Sequence, residues 1–144
     1  MATSTIKRKV ASINGVQVFG AKTSADLKFF NTSYSASQDV TSTANNTNYY
    51  WCKLTLPAGA YLVEMFAGFR ANATGVRRTA LCYGSSHTEW NYTVRNQPAV
   101  SSGWGYVRYF TTIVITEQTD VYLKLLQNSG SAVDCSASLS AWKI

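Results

Sequence analysis

The chain has 144 residues, with 13 Lys and Arg against 7 Asp and Glu, a net charge of +6 and only 14% charged residues. That length suits one domain around one core, and a charged fraction well under the roughly 25% of ordinary domains leaves the polar surface to Ser, Thr, Asn and Gln. The basic residues are scattered, with only Lys7-Arg8-Lys9 and Arg77-Arg78 adjacent, which argues against nucleic acid as a partner and leaves general attraction to acidic surfaces such as an anionic cell envelope.

The opening "MATSTIKRKVASING" lacks the apolar core of a signal peptide, and no run approaches the roughly 18 apolar residues of a membrane helix. Neither secretion nor membrane insertion is expected. Residues 1–20 are expected to form an arm and a β-hairpin, with 21–144 as the main domain. "VASINGVQVF" places two β-type runs around Asn14-Gly15, the preferred pair for a type I′ turn, and Lys7, Arg8 and Lys9 are a candidate docking segment. "LKFFNTSY" (27–34) reads as a strand, and the polar, turn-rich 35–48 as a long loop, with a short edge strand within it as the alternative.

"YYWCKLTL" (49–56) is an expected strand, with Tyr50, Cys52, Leu54 and Leu56 on one face. Pro57-Ala58-Gly59 ends it. "AYLVEMFAGFR" (60–70) restarts, with a wholly apolar odd face of Tyr61, Val63, Met65, Ala67 and Phe69 that should be core. Its mixed even face suggests a second contact surface. "VRRTALCY" (76–83) reads as the returning strand of a hairpin, 84–90 as a loop, 91–95 as a short strand and 96–105 as another loop. "YVRYFTTIVI" (106–115), "VYLKLLQ" (121–127) and "DCSASLSAWKI" (134–144) complete nine or ten strands at short spacing, the pattern of a sandwich or jelly roll.

Catalytic chemistry finds little support. His87 is the sole histidine, lies in a Gly-Ser-Ser loop, and has no Gly-x-Ser-x-Gly elbow to serve. Glu117 and Asp120 flank a turn and read as turn chemistry. Glu64 reads as a strand residue facing solvent or pairing with Arg77 or Arg78 across the hairpin. Phosphate loops, dinucleotide fingerprints, acidic clusters and C-x-x-C pairs are absent from the sequence, so no metal or cofactor is expected. Cys52, Cys82 and Cys135 read as small buried apolar residues, with one disulfide plus a free thiol as the alternative. Sequons at Asn31, Asn45, Asn72 and Asn91 carry no weight without a secretory signal.

Binding chemistry is better supported. "YGSSHTEWNYTVRNQPAVSSGWGY" (83–106) sets rigid aromatics among small adaptable polar residues, the composition of a recognition surface. His87, Glu89, Trp90, Tyr92, Arg95 and Trp104 are the candidate ligand contacts there. Aromatic faces stack on sugars, and Glu and Arg bond hydroxyls. The opposing expectation is that half of these aromatics are core or subunit contacts.

"KLTLPAGAYLVEMFAGF", followed by "TTIVITEQTDVYLKLLQNSGSAVDCSASLSAWKI", resembles the C1q/TNF-like jelly roll. More narrowly, it is similar to the C-terminal heads of bacteriophage tail fibres and related virion proteins. The resemblance covers roughly 49–70 and 106–144 and carries no ligand motif. It implies a ten-strand antiparallel jelly roll assembled as a homotrimer, without catalytic residues, and with Tyr50, Phe66, Tyr122 and Trp142 at the three-fold contact. It also implies a virion surface protein that binds a bacterial cell-surface glycan and contacts other virion proteins. A capsid decoration or tail and baseplate component is the structural alternative, favoured by a short chain with no fibre shaft. A stand-alone lectin is a further one.

Overall fold

The computed structural model describes residues 32–144. The Asn14-Gly15 hairpin, the arm over 1–20, Lys7, Arg8 and Lys9, and most of the 27–34 strand lie outside the described residues. Nine strands follow: β1 (Ser33–Thr43), β2 (Tyr49–Leu56), β3 (Gly59–Arg70), β4 (Val76–Tyr83), β5 (Thr88–Glu89), β6 (Arg95–Pro98), β7 (Trp104–Ile115), β8 (Thr119–Gln127) and β9 (Val133–Lys143). One turn of 3-10 helix (Asn91–Thr93) separates β5 from β6.

The pairing has a simple logic. β1 pairs β9, β2 pairs β8, β3 pairs β7 and β4 pairs β6, all antiparallel. The chain is thus a long doubled ribbon whose tip is the segment between β4 and β6. The ribbon rolls up when β3 also pairs β9 and β4 also pairs β8. The result is two sheets, a four-stranded one in the order β1-β9-β3-β7 and a five-stranded one in the order β2-β8-β4-β5, with β6 beside β4. Two antiparallel sheets wound this way form a jelly-roll sandwich.

Period-2 alternation fills the space between the sheets. Tyr61, Val63, Met65, Ala67 and Phe69 of β3 are all buried, as the odd-face reading expects, and meet Val121, Leu123 and Leu125 of β8 in one core. Each such fully buried Leu or Val side chain contributes about 1.5–3 kcal/mol through area removed from water. Tyr61 keeps its hydroxyl satisfied by donating to the Pro57 carbonyl at 2.9 Å, which closes the strand-turn-strand at Pro57-Ala58-Gly59. Cys52, Cys82 and Cys135 are buried free thiols.

Four expectations change. The edge strand within 35–48 is not short: β1 runs from Ser33 through Thr43 and takes up most of the expected loop; Ser-rich composition hides its length, but its backbone bonds to β9 and its Tyr34 and Ala36 pack on the core. In β2 the register slips between Trp51 and Leu54, and Cys52 takes a left-handed φ of 56°. This bulge turns Tyr49 and Trp51 toward the core and puts Tyr50 on the opposite face from Leu54 and Leu56. β3 and β4 are not a hairpin, because the chain crosses between sheets there; Glu64 therefore pairs with Arg108 of β7, while Arg78 pairs with Glu89. Residues 91–95 are not a strand: Asn91–Thr93 coil into the 3-10 turn, and the strand begins at Arg95.

Candidate functional site

The outer surface of the four-stranded sheet is built by the even-numbered residues of β3 and β7. There Phe66 and Tyr106 stack with centroids 5.6 Å apart and planes 22° apart. Trp104 continues the ladder at 6.4 Å and 13°. Tyr106 lies over Gly68 so closely that a Cβ there would come within 3.0 Å of the ring. Farther along β7, Arg108 binds Glu64 and extends over the Phe110 ring. Tyr106, Phe110 and Val114 are 59%, 49% and 71% exposed. This apolar, aromatic surface sits on β7, the edge strand of its sheet.

The outer surface of the five-stranded sheet carries different chemistry. The β4–β5 turn holds His87 in a left-handed φ of 51°, with its N–H donating to the Gly84 carbonyl at 3.2 Å. The imidazole stacks on Tyr50 at 3.9 Å and meets Tyr122 edge-on at 4.8 Å. Beside it, Glu89 accepts from Arg78 at 2.6 Å and from Lys124 at 2.5 Å. The Glu89 and Lys124 side chains are only 14% and 12% exposed, so this carboxylate is occupied in holding the sheet surface together.

The segment between β5 and β7 closes the open flank of the sandwich. Trp90 packs against Tyr83 at 4.6 Å and rests on the core. The Tyr92 hydroxyl donates to the Thr112 carbonyl on the β7 edge at 3.3 Å. Arg95 caps the Tyr92 and Val94 carbonyls, and its guanidinium lies 3.4 Å from the Tyr109 ring centroid.

The candidate ligand residues are therefore distributed. His87 and Glu89 lie on one sheet's outer surface, Trp90, Tyr92 and Arg95 along the flank, and Trp104 on the other sheet's outer surface. The candidate trimer residues divide likewise. Tyr50 and Tyr122 flank His87, Phe66 belongs to the aromatic ladder, and Trp142 sits on β9 opposite Ser33 and Leu62. Sequence reasoning missed Phe110 and Val114; the available signal was that both faces of "YVRYFTTIVI" carry apolar residues. No group of three or more His, Cys, Asp or Glu among the described residues is placed to hold a metal ion. No described helix is long and apolar enough to cross a membrane.

No protein-family model and no curated protein matches the chain. Solved structures match it by fold. The infectious bursal disease virus particle aligns at a TM-score of 0.62 and 12% identity, over 78% of this chain and 31% of that one. The VP2 subviral particle of the same virus aligns at 0.58 and 12%, over 78% and 32%. The PRD1 vertex protein P5 aligns at 0.51 and 17% identity, over 80% of this chain and 98% of that one. The chain thus spans about a third of the length of the bursal disease virus chains it matches and covers nearly all of the vertex protein. At these identities the likeness establishes the fold, a jelly roll shared with proteins of virus particles.

Proposed function

We propose that this chain is a non-enzymatic structural protein of a virus particle, exposed at the virion surface and working as a homotrimer. One observation carries the reading: the outer face of the edge strand β7 leaves Tyr106, Phe110 and Val114 exposed beside the stacked Phe66 and Trp104, interrupted by the Arg108–Glu64 pair. Subunit contact is the ordinary use of a surface this rich in exposed large apolar side chains. A three-fold ring joins two unlike patches on each protomer. The β7 surface with Phe66 supplies one, on the same outer face as Trp142, and the outer surface of the five-stranded sheet, with Tyr50 and Tyr122, supplies the other. The size match to the PRD1 vertex protein supports a small jelly-roll head in this role. Lys7, Arg8 and Lys9 dock the head to other virion proteins.

The finer reading is kinship with the C1q/TNF-like heads of bacteriophage tail fibres and contact with a bacterial surface glycan. Its support is the aromatic and hydrogen-bonding chemistry around the sandwich tip. A decoration or baseplate role needs the trimer without the glycan, and a lectin the glycan without the virion. The trimer is tested by light scattering on the purified chain. The expected mass is three times 15.8 kDa, falling to one chain in the folded double variant Tyr106→Asp, Val114→Asp. A monomeric wild-type chain overturns the assembly.

A further inference from the structure

A cleft of about 220 Å³ opens at one end of the sandwich, between Tyr83 and Trp90 on one side and the β7–β8 turn on the other. Its walls are the two rings, 4.6 Å apart and tilted by 32°, together with Val114, and its rim is Thr116, Glu117 and Thr119. Of its lining, only Val114 also belongs to the proposed trimer surface, at the far end of β7 from Trp104 and Tyr106. We propose that it is a sugar site that takes one uncharged pyranose ring of a surface glycan; this deepens, and rests on, the glycan-contact reading above.

Four observations converge. The volume falls below the roughly 300–1,000 Å³ of a drug-sized pocket, which limits the occupant to about one ring. The backbone beneath the aromatic wall is held: the Trp90 main-chain N–H donates to the Leu81 carbonyl at 3.0 Å, and the Trp90 carbonyl accepts from the Thr93 N–H at 2.8 Å and the Thr93 hydroxyl at 2.7 Å, while the Trp90 ring packs on Tyr83 and the core. Tyr83 is fixed by its ladder positions opposite Val121 and Thr88. A preorganised ring surface binds the C–H face of a sugar at low entropic cost.

Glu117 is exposed, and no ion pair among the described residues involves it. Its carboxylate is free to accept from two sugar hydroxyls in charge-assisted bonds. The acid nearby in sequence, Asp120, is already taken by Lys53 at 2.7 Å and Thr55 at 2.6 Å. No cation is among the residues lining the cleft, so an acidic sugar would be repelled rather than paired. The Thr116 and Thr119 hydroxyls on the rim can bond further hydroxyls of the same ring, which favours a sugar over a simple ammonium ion.

The test is saturation-transfer NMR on the full chain with the methyl glycosides of glucose, galactose, mannose and N-acetylglucosamine, and with a sialoside and choline as controls. Saturation transfer to at least one neutral pyranoside is expected, weakened about tenfold in Glu117→Ala and unchanged in Arg70→Ala, an exposed residue at the opposite end of the sandwich. Glu117 is exposed, so its variant keeps the fold, and a thermal melt verifies this. Trp90→Phe, which keeps an aromatic ring against Tyr83 but shrinks the platform, is expected to weaken binding too. Equal binding by wild type and Glu117→Ala, or binding of choline or the sialoside alone, overturns the cleft assignment. A glycan array separates the two levels. Bacterial glycan retained equally by wild type and Glu117→Ala defeats the cleft but leaves the glycan reading standing. No retention by wild type on the array or in the NMR panel defeats both.

Discussion

Cys52, Cys82 and Cys135 provide the sharpest chemical prediction. Burial pushes each thiol up from 9.0 to about 11. At pH 8 an ordinary thiol of this kind is about 9% thiolate, whereas one at 11 is about 0.1%, so reaction with a disulfide reagent should slow about a hundredfold before steric exclusion is counted. The same shift acts on stability. Between pH 9 and 11 the unfolded chain has released thiol protons that the folded chain still holds, so stability is fully present below pH 9 and falls as pH rises. Raising the pH from 8 to 10 costs about 1.3 kcal/mol per thiol, or on the order of 4 kcal/mol for all three. Burial raises Tyr61 as well, adding to the same trend. Ellman titration at pH 8 should find no reactive thiol in the native chain and three in guanidinium, and urea midpoints should drop steadily from pH 8 to 10. Prompt native labelling of even one thiol, or a flat pH profile, would refute the burial argument.

Glu89→Ala leaves Lys124 without its carboxylate in a site where only 12% of that lysine side chain reaches solvent. The loss should be about 2–3 kcal/mol in urea melts, below the 3–5 of a fully buried pair because Arg78 is 35% exposed; Glu89→Gln should cost less. Gly75 has φ +77° and sits where a Cβ would come 2.3 Å from the Asn128 backbone oxygen. Gly75→Ala should therefore cost about 3 kcal/mol by thermal melt. Gly84→Ala, at φ +68° with open space around it, should cost only about 1 kcal/mol.

Much of the fold is legible in the sequence because the core strands alternate cleanly. The odd face of 60–70 and the inward Val121, Leu123 and Leu125 need only period-2 reading. Two kinds of information are missing from local pattern. One is the bulge at Cys52, where a single extra residue reverses the face of Tyr50 and so carries it to His87. The other is which strands are partners. Consecutive strands β2, β3 and β4 alternate between sheets, so neighbours in sequence are not neighbours in the ladder, and Glu64 finds Arg108 far along the chain. The candidate site was only partly legible for the same reason. The segment 83–106 is rich in aromatics as read, but the roll distributes its side chains over two outer surfaces and a flank. Glu117, in a turn that reads as mere turn chemistry, comes to face Tyr83 and Trp90 only through the tertiary fold.

Whether this jelly roll belongs to a virus surface is decided on particles. Antibodies raised against residues 32–144 would be imaged by immunogold on gradient-purified particles from cells producing the chain from its own genome. Gold is expected at discrete positions on the outside of intact particles. Antigen confined to the soluble fractions, with bare particles, would contradict it.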